Sequence, residues 1–300
     1  MLHPEFPLAS PGYFPYISWM QWLAAVYGLI GLAVGSFLNV CIYRIPRHES
    51  VVFPRSHCPR CGKPIAFYDN IPLISFVWLG GRCRFCRGRI ALQYPAVELF
   101  TGAAFYACAR GWPLAGPMFV NSLFAAVIIV LMFIDYRHQI LPNVLTIPGA
   151  AAGILLSPLQ HQAFYSDALS FGLAVSLSQA HAERLLPWTG SIAGALLSGG
   201  MLLLVALLYQ LVRRQQGMGA GDIKMMAMVG AFLGWRLGLL TIFLGSAAGS
   251  VIGIFLVICR GRGLQTRLAF GTFLGAASIL ALFFGLELFR WYTGGAAAAR

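Results

Sequence analysis

The strongest constraint on this chain is a succession of apolar stretches, most of them near 20 residues, broken by short segments that carry most of its charge. About 20 consecutive apolar residues cross the hydrocarbon core of a bilayer as one helix. In lipid every backbone polar group must be paired internally, so helices are the structure such stretches can take. The predicted spans cover residues 19–43, 92–109, 118–134, 141–156, 192–212, 225–235, 237–258 and 268–292. The stretch 225–235 is short, and it either starts inside the glycine-rich segment before it or forms a tilted half-span. Residues 161–188 mix Asp167, His181, Glu183 and Arg184 with apolar side chains and read as an external loop of amphipathic character. Composition agrees: 59% of residues are hydrophobic and 10% charged, with a mean hydropathy of +0.75, whereas soluble domains carry about 25% charged residues. The fold class expected is an all-α polytopic integral membrane protein.

Orientation follows from the basic residues, which stay on the cytoplasmic side. With the N-terminus outside, that side holds nine Lys and Arg between residues 44 and 91, Arg137, three between 213 and 224 and three between 260 and 267. These are 16 of the chain's 21 basic residues. The net charge of +12 therefore reflects membrane topology, and no nucleic-acid partner is expected. Residues 1–18 lack a basic n-region and carry three early prolines, Pro4, Pro7 and Pro11, with Pro15 after them, so the first span is expected to serve as an uncleaved signal. The organisation expected is an outer N-terminal segment 1–18, a first span 19–43, a basic cytoplasmic loop 44–91, a helical bundle 92–292 and an irregular Gly/Ala tail 293–300.

Two acids fall at cytoplasmic helix ends on this topology. Asp135 closes the run Phe133-Ile134-Asp135-Tyr136, and Asp222 lies in Gly217-Met218-Gly219-Ala220-Gly221-Asp222-Ile223-Lys224. A carboxylate at the mouth of a membrane helix is expensive and so marks a functional site. Two carboxyl groups sharing one site cannot easily both ionise, which is the condition for acid–base hydrolysis of a peptide bond. A single such Asp is as often a cap or a headgroup contact, but the chain has only nine acidic residues. Gly219 and Gly221 leave room for an extended substrate strand beside the acid. Lys224 either biases the pair or reaches to the interface. Glu98 is open between an Arg pair, a polar pocket and a bond within the bundle. Ser36 and Asn39 share one helical face and suit helix–helix contacts. Gly271, in Ala269-Phe270-Gly271-Thr272-Phe273, suits close helix packing.

Cys58-Pro-Arg-Cys61-Gly and Cys83-Arg-Phe-Cys86-Arg-Gly are separated by residues 62–82. Two C-x-x-C pairs at this spacing can close a tetrahedral thiolate site for structural zinc, with Gly62 and Gly88 expected in the tight turns. A four-thiolate site leaves no open position for a catalytic water, so the metal is expected to fold the loop. His57 is surplus to it.

Taken together these motifs resemble the bacterial type IV prepilin peptidases, aspartic enzymes of the GxGD class. The matching stretches are Gly35-Ser36-Phe37-Leu38-Asn39-Val40, Tyr43-Arg44-Ile45-Pro46, the double C-x-x-C loop with Asn70-Ile71-Pro72-Leu73-Ile74-Ser75, and Tyr94-Pro95-Ala96-Val97-Glu98-Leu99. They continue with Ile134-Asp135-Tyr136 to Ile140-Leu141-Pro142, Gly217 to Lys224, and Phe270-Gly271. The resemblance implies an inner-membrane enzyme that cleaves the leader of prepilins or secretion pseudopilins at the cytoplasmic face, with Asp135 and Asp222 as the catalytic pair. It also implies S-adenosylmethionine-dependent N-methylation of the new N-terminal residue, linked to the cysteine loop. Asn143 stands where the family commonly has Asp, and residues 159–187 are longer than usual. The alternatives are a peptidase without methylation, a proton-coupled carrier, which would place its acids nearer the midplane, and a non-catalytic zinc-bearing secretion scaffold.

Overall fold

The computed structural model describes residues 13–215, 218–260 and 269–298. Nine α-helices occur among them: α1 (Tyr13–Arg44), α2 (Ile74–Trp78), α3 (Gln93–Gly111), α4 (Ala115–His138), α5 (Asn143–Leu155), α6 (Ala168–Leu177), α7 (Ala182–Arg213), α8 (Ala220–Arg260) and α9 (Phe270–Ala298). The chain is an all-α, multi-pass membrane protein. Among the described residues five helices, α1, α4, α7, α8 and α9, are long and apolar enough to cross a membrane. The expected spans 92–109 and 141–156 form α3 and α5 without meeting that standard. α3 carries Gln93, Glu98 and Arg110, and the 13 residues of α5 reach about 20 Å against a hydrocarbon core of about 30 Å.

α4 is the central helix. Phe124, Ile128, Leu131 and Ile134 are fully buried along it, and it ends at Gln139, whose left-handed backbone donates to the Asp135 carbonyl. α1 packs along α3 on one side, and α5, α7, α8 and α9 assemble on the other. Without a hydrophobic force between helices in lipid, close approach of small residues holds such pairs together. The tightest seam joins α7 to α8: a Cβ on Gly194 would stand 2.1 Å from the Gly230 carbonyl oxygen, and one on Gly230 would stand 2.0 Å from that of Gly194.

α8 is two helices joined at Gly234, where φ is 76° and ψ 169°. The expected spans 225–235 and 237–258 are its two limbs, and the first limb does start inside the glycine-rich segment, at Ala220. The kink frees the carbonyls of Ala231 and Phe232, which a continuous helix would pair four residues on. They are captured from outside the helix. The Tyr165 hydroxyl reaches Ala231 O (2.9 Å) and Phe232 O (3.1 Å), Ser191 Oγ donates to Ala231 O (2.7 Å), and Gln160 Nε2 donates to Phe232 O (3.3 Å).

These contacts correct the reading of residues 161–188 as an external loop. The segment holds α6 and the first turns of α7, buries Phe164 and Tyr165, and supplies one of the donors that a broken membrane helix requires, the Tyr165 hydroxyl, with Gln160 and Ser191 just beyond its two ends. Asp167 extends the network, capping α6 through Ser170 N (2.9 Å) and accepting from Trp235 Nε1 (2.9 Å). Replacing Tyr165 by Phe is expected to cost about 1 kcal/mol, read as a lower unfolding midpoint in detergent; an unchanged midpoint would contradict this role.

Two boundary expectations also shift. α1 begins at Tyr13, six residues before the predicted span, with Pro15 in its first turn, where a missing N–H does no harm. α9 runs to Ala298 through the Gly/Ala stretch expected to be irregular, since alanine is the best helix former. Residues 1–12, Gly217, Arg262, Arg267 and Arg300 lie outside the described residues.

Candidate active site

The C-terminal turn of α4, the N-terminal turn of α8 and the N-terminal turn of α9 converge at one point. α4 contributes Asp135, which is 5% exposed, and α8 contributes the half-buried Asp222. The two carboxyl groups are close enough for the charge of Asp135 to act on Asp222. α9 contributes Thr272, whose backbone N–H (2.7 Å) and hydroxyl (3.0 Å) both donate to Asp135 Oδ2. Gly271 makes that approach possible, because a Cβ there would lie 3.0 Å from both Cγ and Oδ2 of Asp135. The close packing expected at Gly271 is thus packing against the acid itself.

Asp222 is placed by its own helix start, its N–H donating to Gly219 O (3.2 Å). Gly219 stands beside the acid, since a Cβ there would meet Asp222 Oδ2 at 3.6 Å. Gly221 faces Leu141, where a Cβ would come within 2.8 Å of the Leu141 Cβ. Lys224 donates to Asn143 Oδ1 (2.8 Å) at the start of α5. Two interacting carboxyls of this kind can divide the roles of base and acid, one ionised and one protonated.

The basic loop joins the same end of the bundle. Among the described residues Cys58, Cys61, Cys83 and Cys86 bring their sulfurs within 4.8 Å of one another, and Cys58 Sγ lies 3.9 Å from Cys86 Sγ. A tetrahedron with Zn–S bonds of about 2.3 Å has S···S edges of about 3.8 Å, so the donor set fits a metal ion. Each knuckle is closed in the same way. Cys58 N–H donates to Lys63 O (2.9 Å) and Gly62 N–H to Cys58 O (2.9 Å); Cys83 N–H donates to Gly88 O (2.8 Å) and Arg87 N–H to Cys83 O (3.0 Å).

One expectation about the knuckles needs correction. The left-handed residue of the first turn is Gly62 (φ 67°), but that of the second is Arg87 (φ 54°), not Gly88. Gly88 serves the approach of Arg60, whose Cδ would lie 2.6 Å from a Cβ there. His57 is exposed and takes no part in the cluster.

Loop and bundle are joined through α3. Glu98 Oε2 accepts from Leu73 N–H (2.9 Å), and Asn39 Nδ2 on α1 donates to Tyr94 O (3.0 Å). Of the three options open for Glu98, two hold together: it lines a pocket and accepts a hydrogen bond from Ser36 within the bundle, to which the Leu73 amide of the loop is added.

Comparison with known proteins agrees with this division of the chain. Residues 29–112 match the family model "Bacterial Peptidase A24 N-terminal domain", and residues 122–254 match "Type IV leader peptidase family". A protein of Myxococcus xanthus named prepilin leader peptidase/N-methyltransferase is 39% identical over 84% of this chain and 67% of its own length. Proteins of the same name from Pseudomonas aeruginosa and Legionella pneumophila are 34% and 33% identical, covering 91% and 96% of their own lengths. The chain belongs to the type IV leader peptidase family. No solved structure matches it.

Within that family assignment, the residue missed by sequence reasoning is Thr272. The signal was available in part: a polar residue next to Gly271 in an otherwise apolar helix start. Nothing in the sequence, however, paired it with an acid 137 residues earlier. The Asn143–Lys224 bond was likewise invisible, although both residues were singled out separately.

Proposed function

We propose that the protein removes the leader of type IV prepilins or type II secretion pseudopilins and methylates the amino group so exposed, with Asp135 and Asp222 as the catalytic pair. The observation that carries the peptidase reading is the convergence of Asp135, Asp222 and Thr272 from three helices at one end of the bundle. The names of the relatives support both activities.

In this mechanism the ionised carboxyl takes a proton from water as its oxygen bonds the scissile carbonyl carbon. The protonated carboxyl donates to the carbonyl oxygen, and collapse breaks the C–N bond with the proton passing to the leaving amine. Thr272 fixes the orientation of the Asp135 carboxyl by two donors to one oxygen. Gly219 admits the substrate backbone beside Asp222, Gly221 lets Leu141 pack close behind it and does not itself face the substrate, and Lys224, tethered by Asn143, contacts the leader end of the substrate. Zinc held by Cys58, Cys61, Cys83 and Cys86 orders the loop and takes no part in hydrolysis. S-adenosylmethionine supplies an electrophilic methyl group on sulfur. The site works at the cytoplasmic face of the inner membrane, with the N-terminus periplasmic and the chain crossing eight times. The second limb of α8, α3 and the short α5 supply the crossings beyond the five long helices.

The deciding experiment incubates the purified protein in detergent with a synthetic prepilin and reads product mass with and without methyl donor. The expected products are the mature peptide and, with donor, a species heavier by one methyl group. An uncut peptide would overturn the proposal. Because the pair needs one proton between its two carboxyls, the cleavage rate should fall on both the acid and the alkaline side of a single optimum. A rate that climbs steadily with pH would contradict a dyad. Thr272→Val, which keeps the amide donor and removes the hydroxyl, should slow cleavage about tenfold and move that optimum, a loss of about 1.4 kcal/mol for a hydrogen bond to a charged group. Thr272→Ser should retain most of the rate; equal rates in the Val and Ser variants would exclude the role.

A further inference from the structure

α2 carries two faces of opposite kind. Ser75 and Phe76 turn inward, where they line a cavity of about 460 Å³ together with Asn39, Gln93 and Glu98. That face is tied down: Ser75 Oγ donates to Tyr68 O (2.9 Å) and accepts from Ile71 N–H (3.0 Å), and Phe76 packs on the turn at Gly81, where a Cβ would lie 3.1 Å from its ring. Ile74, Val77 and Trp78 stand on the other face, at i, i+3 and i+4, and border none of the cavity. They are 62%, 77% and 82% exposed, and Phe67 in the preceding turn is exposed beside them. A bare apolar cluster of this kind marks an interaction surface. We infer that this face of α2 lies in the interfacial layer of the bilayer, among anionic lipid headgroups, and docks the cysteine loop onto the membrane.

Depth is the first support. α2 is fastened at both ends to the start of α3. Leu73 N–H donates to Glu98 Oε2 (2.9 Å), and past the turn at Gly80 and Gly81 the Ile90 N–H donates to Gly81 O (2.7 Å). Glu98 lies five residues into α3, about 7.5 Å along its axis. The next two residues, Leu99 and Phe100, are exposed apolar side chains on a helix packed along α1, the surface such a helix turns to lipid. The outer face of α2 is therefore continuous in level with a lipid-facing surface. Interfacial helices sit about 5–10 Å into the headgroup and acyl boundary, and tryptophan is enriched there.

Charge is the second. Of the nine Lys and Arg in residues 44–91, all but Arg44 are exposed, against one exposed acid, Glu49. Two of these cations stack on exposed aromatic rings, Lys63 over Phe85 (4.7 Å) and Arg84 over Tyr68 (5.3 Å). An apolar body with a cationic tip suits the boundary between acyl chain and headgroup, and a basic segment is drawn to an anionic leaflet. Docked in this way, the loop cannot swing freely about the ends of α1 and α3, and it stays level with the end of α4, whose Arg137 and His138 border the same cavity.

The test places the full-length protein in vesicles of equal parts phosphatidylglycerol and phosphatidylcholine, with a trace of phosphatidylcholine bearing a diazirine near the head of one acyl chain. After ultraviolet light, peptide mapping should find lipid adducts on residues 74–78 as well as on Leu99 and Phe100, which serve as the reference. The combined variant Ile74→Ser, Val77→Ser, Trp78→Ser should carry about tenfold less adduct across residues 67–80 relative to that reference. Prepilin cleavage by the variant in detergent should be retained, which reports an intact bundle; where it is lost, the wild-type map decides. A loop without adducts beside a labelled α3 would overturn the docking. Shielding of the same face from hydroxyl-radical footprinting only on addition of prepilin would give it to the substrate instead. In phosphatidylcholine alone the loop adduct should fall about threefold, and an equal yield would overturn the choice of anionic headgroups.

Discussion

Replacing Asp222 by Asn is expected to leave prepilin uncut, with a fall in cleavage rate of at least about a thousandfold. Asn preserves size and one acceptor oxygen but can neither carry nor release the proton. Asp135→Asn should match it. Because the two side chains act as a unit, the double variant should be little worse than either single one. The measurement is the rate of mature-peptide formation by mass spectrometry, with unfolding midpoints recorded beside it. Retention of more than a tenth of the rate in either variant would remove that residue from the chemistry. The same variants separate the competing classes, since a scaffold would keep supporting secretion and a carrier would lose transport while its pilin was still processed.

The second large effect lies in the loop. Between α1 and α3 the chain forms only short turns, two isolated bridges and the five-residue α2. Phe67, Val77 and Trp78 are exposed there. The ion pair of Arg84 with Asp69, which holds that carboxyl below its usual range, adds little because Arg84 is largely exposed. Such a segment has too small a core to order itself, whereas a structural zinc contributes about 10–16 kcal/mol to folding. Cys58→Ser should therefore drop bound zinc from about one per chain to near none by elemental analysis. Residues 44–91 should then become open to limited proteolysis while the bundle stays resistant. Cleavage should persist, because none of Asp135, Asp222 and Thr272 touches the cysteines. A Cys58→Ser protein with full metal content and a protected loop would refute the assignment.

Apolar run length and the scarcity of charge were enough to identify an all-helical membrane chain, since a bilayer admits few other solutions. The four cysteines were legible for a similar reason: tight local turns bring each pair together, and spacing reports them directly. Asp135 and Asp222 stood out because an acid at a membrane helix end is costly. What could not be read were contacts made across the bundle. The break at Gly234 was visible only as two expected spans too close together, and the capture of the Ala231 and Phe232 carbonyls by Tyr165, helped by Gln160 and Ser191 on either side, draws on a segment that sequence read as a loop.

Hydropathy and ligand spacing are local properties, carried by neighbours along the chain, so membrane class, metal knuckles and candidate acids followed from sequence alone. Tertiary structure alone decided that Thr272 meets Asp135, that Lys224 turns to Asn143, and that Asn39, Gln93 and Glu98 face one cavity. The physical reason is that helices packed in lipid are oriented by small-residue seams such as Gly194 against Gly230, and that such packing fixes which faces meet only once the whole bundle has assembled.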